Sequence, residues 1–369
     1  MSKVLKIDKN VHEGVRGFLR FLLEKEKVKA ILCLTGNSDE GGISYSLISD
    51  PELIKDTEPF FPVMPSNAAN VLSQLTLTGP LPEKIAAVIR PCELRGFIEL
   101  VKRSQGSTEN ILFISYTCGG VFPVEEMVDG KINDKINKYW KSIEKNEIND
   151  DIRDTCKACE EFIPDNADIT VFLAGNSEIN SKCLLFLNNE KALEFAKESE
   201  GEITDIELNT GKLNEIKKNR TDGKIKLYDE YTIENLGLKG LIDIFGRCIG
   251  CHACGNACPA CFCSLCYFDS IESELKPSDC EFELNKKGAM RQPPNTINYH
   301  LGRMVHTSIS CVGCGSCSDV CPVDIPVSTI FKRVGESVQE SYNYKPGKDL
   351  EEELPLSTFN VKEFSDIET

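Results

Sequence analysis

The sequence predicts an α/β domain over residues 1–240, a smaller cysteine-dense domain over 241–340, and an acidic tail over 341–369. Three observations lead there. Apolar runs of strand length alternate with helical segments through the first part of the chain. Composition changes near residue 240, where LIDIFG leads into a crowd of cysteines. Those cysteines then fall into two copies of one pattern, Cys-x2-Cys-x2-Cys-x3-Cys-Pro.

Residues 11–30 read as a helix, because Val15, Phe18, Leu19 and Leu22 recur at helical spacing, and AILCLTG over 30–36 follows as a short buried strand. KIAAVIR (84–90) and NILFISY (110–116) are further strand-length runs, separated by a helical segment over 93–104. ADITVFLAG and KCLLFLN continue the alternation past residue 167, and EKALEFAKESE supplies another helix. Residues 131–150, rich in Lys, Asn and Ile, read as a solvated amphipathic helix. From about 341 the acidic stretches DLEEELP and EFSDIET read as a mobile tail or a partner-docking arm.

The chain has 369 residues, 41% of them hydrophobic, enough to bury a core in one large and one smaller domain. Its net charge of -16 argues against nucleic acid as a partner, since phosphate backbones need a basic face, and favours protein or cationic partners. MSKVLKIDKN is not a secretory leader, and no stretch approaches the roughly 18 to 20 apolar residues that span a bilayer, so a cytoplasmic, not membrane-spanning protein is expected. In that setting eighteen cysteines with tight CxxC spacing point to metal or cluster ligation rather than disulfides, and so many thiolate ligands suggest an anaerobe.

The first run is Cys248, Cys251, Cys254 and Cys258 with Pro259, and the second is Cys311, Cys314, Cys317 and Cys321 with Pro322. In this motif three close thiolates hold three irons of one 4Fe-4S cluster, and the fourth ligates the cluster of the other run. Cys248, Cys251, Cys254 and Cys321 are therefore assigned to one cluster, and Cys311, Cys314, Cys317 and Cys258 to the other. The exchange of fourth ligands is inferred from the motif. Zinc is the competing reading, but zinc sites need four ligands each and use two CxxC pairs, whereas eight thiols here follow duplicated cluster spacing.

Other cysteines are less committed. Cys261, Cys263 and Cys266 in PACFCSLC, with Cys280, could complete a fourth cluster or be buried thiols beside the existing ones. Cys33 and Cys183 lie in apolar runs and read as core. Cys92 and Cys118 each follow a predicted strand, at the carboxyl edge where open α/β sheets bind ligands, and Cys156 and Cys159 form a CxxC in a polar loop. These four would hold a third 4Fe-4S cluster if the fold brings them together. Gly119 and Gly120 after Cys118 would let the backbone approach a cofactor, or simply make a turn.

At RPCELRGFIELVKRSQ, NILFISYTCGG, CKACEEFIPDNADI, CIGCHACGNACPACFCSLC and HTSISCVGCGSCSDVCPVDIP the chain resembles the family of coenzyme F420-dependent formate dehydrogenase and coenzyme F420-reducing hydrogenase beta subunits. The likeness runs from residue 65 to about 330 in the family's order. It implies a flavin-type α/β domain carrying FAD and one 4Fe-4S cluster, followed by a mainly helical, ferredoxin-like two-cluster domain. It implies that electrons pass singly through the clusters to or from the flavin, which exchanges a hydride with coenzyme F420.

The same resemblance implies a catalytic formate dehydrogenase or hydrogenase subunit as partner, and it makes Cys92, Cys118, Cys156 and Cys159 family cysteines. Asn67 in MPSNAANV falls on a family Asn expected near the flavin, although a helix cap is an equal reading. The family's paired glycines before the first helix are reduced here to Gly14 and Gly17, and its later glycine-rich stretch to Gly175 and Asn176. A second function therefore stands beside the first: a conduit without its own hydride site, linking formate dehydrogenase, hydrogenase or heterodisulfide-reductase-like modules. His300 and His306 read as packing or hydrogen-bonding residues, and Arg303 as either a counter-charge to a cluster or a surface residue.

Overall fold

The computed structural model describes residues 2–36, 42–127, 132–206, 210–274, 276–289, 293, 295–355 and 357. Eight strands form one mixed sheet in the order β3-β2-β4-β5-β6-β7-β1-β8. In chain order these are β1 (Ser2–Ile7), β2 (Ala30–Gly36), β3 (Ile43–Ile48), β4 (Ile85–Val88), β5 (Ile111–Tyr116), β6 (Ile169–Val171), β7 (Cys183–Leu187) and β8 (Glu202–Ile206). The four at the centre, β2, β4, β5 and β6, run parallel, and antiparallel strands flank them on both sides. Every residue of β4 and β5 is buried. That is why these strands read as unbroken apolar runs: a parallel strand covered on both faces has no polar side to alternate with.

The predicted first helix is α1 (Val11–Glu24), capped by the Asn10 side chain accepting from Glu13 N. Val11, Val15, Phe18, Leu19 and Leu22 lie on its buried face, each worth about 1.5–3 kcal/mol when taken fully out of water. Next come α2 (Ala68–Thr76) and α3 (Pro91–Lys102), the latter starting on Pro91 with Glu93 reaching back to Arg90 N at 3.0 Å. Pro tolerates the first helical position because its missing N–H would have no partner there. The lysine-rich helix is α4 (Ile132–Lys145); it is not wholly solvated, since Tyr139 and Ile143 are buried in the main core.

The short α5 (Asp154–Lys157) and α6 (Glu190–Ala196) complete the sheet region. Strands β1, β3 and β8 had no expectation. They are edge or near-edge strands: half-exposed β3 and β8 carry alternating or polar sequences that no apolar run marks.

After β8 the described residues hold helices and turns: α7 (Thr210–Asp229), α8 (Ile233–Phe245), α9 (Ala253–Asn256), α10 (Pro277–Lys287), α11 (Thr296–Thr307), α12 (Ser316–Asp319) and α13 (Val327–Ser341). Phe245, Cys248, Met304, Ile325, Val327, Ile330 and Phe331 form a core cluster separate from those of the sheet.

The acidic tail does not begin as a free arm. Residues 344–348 return to α3: Tyr344 Oη donates to Glu99, Gly347 N donates to Glu99 Oε1 at 2.8 Å, and Arg95 Nε donates to the Pro346 carbonyl at 2.9 Å. Gly347, at φ +69°, lies so close to Arg95 that a Cβ would fall 2.2 Å from the Arg95 carbonyl oxygen. EFSDIET lies outside the described residues.

Candidate functional site

Strands β4 and β5 are parallel neighbours, with Val88 opposite Ile114, so their carboxyl ends open on the same edge of the sheet. The first turn of α3 carries Cys92 over that edge, and the chain leaving β5 carries Cys118. Cys156 in α5 and Cys159 just after it come from the loop that precedes β6. All four line one cavity, and Cys314 from the second run lines it with them. No spacing rule could have joined them; the parallel register of two strands does.

Cations stand around these thiols. Arg90 and Arg220 line the same cavity. Arg220, on α7, donates to the Cys118 carbonyl at 2.9 Å and the Cys159 carbonyl at 3.3 Å, with its guanidinium 4.5 Å over the Phe162 ring. Arg153 precedes α5, donates to the Cys314 carbonyl at 3.1 Å and pairs with buried Asp319. All three arginines are buried, and each leaves a buried Nε without a partner among the described residues. Burial pushes the Cys92 and Cys118 thiols up and holds Cys156 at about 11. An iron occupant would take these groups as thiolates, and the guanidinium charge suits the anion that results.

The two runs repeat one backbone. Gly250 and Gly313 sit before the second cysteine of each run at φ +70° and +72°, and His252 and Gly315 sit after it at +56° and +85°. These left-handed residues coil the chain so that successive cysteines turn toward one centre. Main-chain N–H groups point at sulfur in both the runs and the dispersed set: Gly250 to Cys248 at 3.4 Å, Ile325 to Cys321 at 3.3 Å and Gly120 to Cys118 at 3.3 Å. The main chain at Gly313 and at Val121 also lowers the Cys311 and Cys156 thiols against the effect of burial. Thiolate bound to iron is an acceptor for such donors.

Across the runs, Cys321 of the second stands near enough to Cys254 of the first to perturb it, and Cys258 of the first is in the same relation to Cys317 of the second. Cys317 is also within range of Cys311 and Cys314. Cys251 is exposed, whereas Cys248 and Cys254 are buried. Among the described residues no group of three or more His, Cys, Asp or Glu converges as a single metal ion would require. The donor set of thiols, N–H···S contacts and buried cations fits clusters at these positions.

The remaining cysteines divide. Cys261 N donates to the Cys258 carbonyl at 3.0 Å, and the thiols are close enough to perturb each other. Cys263 is exposed, and Cys266 and Cys280 are half-buried. Cys33 and Cys183 are core residues whose thiols burial pushes up to about 12. Gly14 packs on that core; a Cβ there would fall 2.4 Å from the Cys183 Cβ. His300 is buried and stacked on Phe245 at 4.4 Å, and burial lowers its pKa to about 4.

Asn67, Gly119 and Gly120, expected near a flavin, each have contacts within the protein. Asn67 is the N-cap of α2, its Oδ1 accepting from Ala69 N at 3.0 Å, and its buried Nδ2 has no partner among the described residues. The space left by Gly119 is filled from within: a Cβ would meet Ile143 Cδ1 at 2.1 Å and Tyr139 Oη at 2.5 Å. At Gly120 a Cβ would meet Ile152 Cδ1 at 2.5 Å and Cys156 Cβ at 3.1 Å. Gly119 thus makes room for side chains of α4, while Gly120 lines the cavity of the dispersed thiols. A larger cleft of about 550 Å³ lies beside Cys159 and Gly313, walled by Tyr228, Lys224, Lys332 and Tyr344.

Sequence reading missed Arg90, Arg153, Arg220 and Tyr139. Arg90 alone had a signal, standing two residues before Cys92; the other three depend on tertiary packing.

Residues 82–224, which include Cys92, Cys118, Cys156 and Cys159, match the family described as the C terminus of the coenzyme F420 hydrogenase/dehydrogenase beta subunit. The F420-dependent formate dehydrogenase subunit beta of Methanocaldococcus jannaschii is 27% identical over 366 residues, covering 91% of this chain and 92% of its own. The F420-dependent formate dehydrogenase 1 subunit beta of Methanococcus maripaludis is 26% identical over 378 residues, covering 92% and 91%. A chain of the F420-reducing [NiFe] hydrogenase complex from Methanosarcina barkeri aligns over 63% of this chain and 94% of its own, at 10% identity and a TM-score of 0.45, too low to argue from. Over residues 82–224 the chain matches the model of the coenzyme F420 hydrogenase/dehydrogenase beta subunit family, and over about nine-tenths of its length it is similar to two formate dehydrogenase beta subunits.

Proposed function

We propose that this chain is the electron-transfer beta subunit of a formate dehydrogenase or hydrogenase complex, passing single electrons through three 4Fe-4S clusters between a catalytic partner subunit and a flavin that exchanges a hydride with coenzyme F420. Cys92, Cys118, Cys156 and Cys159 hold one cluster; Cys311, Cys314, Cys317 and Cys258 hold the next; Cys248, Cys251, Cys254 and Cys321 hold the last. The observation that carries this reading is that Cys314 lines the cavity of the four dispersed thiols. It supports a relay in the order dispersed site, second run, first run. Exposed Cys251 makes the first-run end the one nearest a partner.

The proximities of Cys254 to Cys321 and of Cys258 to Cys317 support the exchange of fourth ligands. The domain layout follows the same division, with all described strands before residue 207 and a separate core around Phe245 and Phe331. The names of the relatives supply formate and coenzyme F420 as the reactants. The chain's own residues hold the clusters' thiolates, surround them with N–H donors and guanidinium groups, and exclude water from the dispersed site. The clusters, when bound, supply one-electron chemistry.

A second reading, a conduit without a hydride site, is favoured by one observation: Tyr139, Ile143 and Ile152 fill the space at Gly119 and Gly120. The flavin reading then depends on the cleft beside Cys159, whose volume lies in the range of small-molecule sites. Anaerobic purification with iron, acid-released flavin and coenzyme F420 turnover separates the two. The full reading expects about twelve irons, at four per cluster, with one flavin. Absence of flavin leaves the conduit. About eight irons would remove the dispersed cluster, and about sixteen would bring Cys261, Cys263, Cys266 and Cys280 in as ligands.

A further inference from the structure

Arg303 lies on α11, outside both cysteine runs, yet it is buried and reaches sulfur. Its Nη1 donates to Cys254 Sγ at 3.0 Å, its Nε to Cys261 Sγ at 3.3 Å, and its Nη2 to the Cys254 carbonyl at 3.0 Å. The guanidinium is held between aromatic rings, 5.1 Å from the centre of Phe331 and 5.5 Å from that of Tyr299. No carboxylate pairs with it among the described residues; its neighbours are thiols. Cys261 in turn donates its main-chain N–H to the Cys258 carbonyl at 3.0 Å, and the two thiols perturb each other's ionisation. One cation therefore touches a thiol of the first run directly and, through Cys261, a thiol that the exchanged arrangement gives to the second cluster.

We infer that Arg303 tunes the wire: it raises the reduction potential of the cluster held by Cys248, Cys251, Cys254 and Cys321, and links that cluster electrostatically to its neighbour. This rests on the cluster reading above. Reduction adds one negative charge to a cluster, and a buried guanidinium favours the more negative state. Hydrogen bonds to the ligand sulfurs act in the same direction, because they draw charge from the thiolate, and both are recognised levers on cluster potential. Burial magnifies the effect, since a low-dielectric surrounding screens little. The consequence is a potential step at the exposed end of the relay, set by a residue that is itself no ligand. It also gives Cys261 a role short of ligation: it orients one edge of the guanidinium and relays its charge to Cys258.

The test is an electron paramagnetic resonance redox titration of the full chain, purified anaerobically, comparing Arg303→Met and Arg303→Lys with the parent. Iron content is measured first, so that failure of the cluster reading shows as missing iron and failure of this inference as an unchanged potential. With iron retained, Arg303→Met is expected to cut the ratio of reduced to oxidised cluster at least tenfold at the parent's midpoint, about 59 mV for one electron. Arg303→Lys keeps the charge and loses the two-sulfur fork, so its ratio should fall less than threefold. An Arg303→Met titration that superimposes on the parent overturns the inference. Should the Met variant lose iron, Arg303→Gln, which keeps a donor without the charge, is read by the same rule.

Discussion

The dispersed thiols and the paired runs are assembled under different constraints. The dispersed set is drawn from two strand ends and a loop, is lined by two buried arginines, Arg90 and Arg220, and meets solvent nowhere as openly as Cys251 does in the first run. The runs are built by short coils with left-handed residues at matching positions, Gly250 and His252 in one and Gly313 and Gly315 in the other. A site made by tertiary packing should fail when the fold is disturbed at a distance. A site made by local coiling should fail only when its own residues change.

The largest contrast is expected from single ligand replacements. Cys118→Ala should remove about four irons and one spectroscopic signal, leaving the two-run signals in place. It also deprives Gly120 N of its acceptor. Cys251→Ala should remove the first-run cluster and leave the dispersed one, with faster iron loss to chelators because that end already faces water. Iron analysis with electron paramagnetic resonance reads both. Loss of all signals in either variant would mean that the sites are not separate.

How legible these two sites were differs for a physical reason. The runs are local in sequence, so their spacing carries the ligand set without any knowledge of the fold. Cys92 and Cys118 could be placed at a sheet edge because KIAAVIR and NILFISY read as neighbouring strands, and the observed β4 and β5 lie within the expected runs. Their meeting with Cys156 and Cys159 was beyond spacing, because it depends on the path of a loop. Arg220 arrives from a helix more than sixty residues further on and left no trace in any motif. A glycine pair signals close approach but not what approaches: at Gly119 it is α4, whereas Gly120 lines the cavity of the dispersed thiols. The tail misled through composition, since acidic residues conceal Tyr344 and Gly347, which dock on α3.

Between the two sites runs a buried ion pair, Arg153 with Asp319, and Asp319 Oδ1 also accepts from Val124 N at 3.1 Å. Burial pushes the Asp319 carboxyl up even beside Arg153. Removing one partner of a buried pair strands the other, at a cost of about 3–5 kcal/mol. Asp319→Ala should therefore lower the denaturation midpoint and raise amide exchange in both 153–159 and 314–321. Asp319→Asn, which keeps an acceptor for Val124, should be milder. Raised exchange in only one of the two segments would show that the pair does not join the sites.

The smallest effect expected, and the one that bears most on the choice between flavoprotein and conduit, is at Gly119. An added Cβ must displace Ile143 Cδ1 and Tyr139 Oη, and overpacking of this kind costs about 1–3 kcal/mol. Gly119→Ala should lower thermal stability by that amount, and pairing it with Ile143→Val should recover part of the loss, because the missing methyl relieves the closest contact. Whatever flavin the parent holds should remain bound in both variants, since the glycine faces α4. If Gly119→Ala instead released flavin at unchanged stability, the glycine would face a cofactor after all, and the distinction between a packed dispersed site and an open redox pocket would have to be drawn on the other side of Cys118.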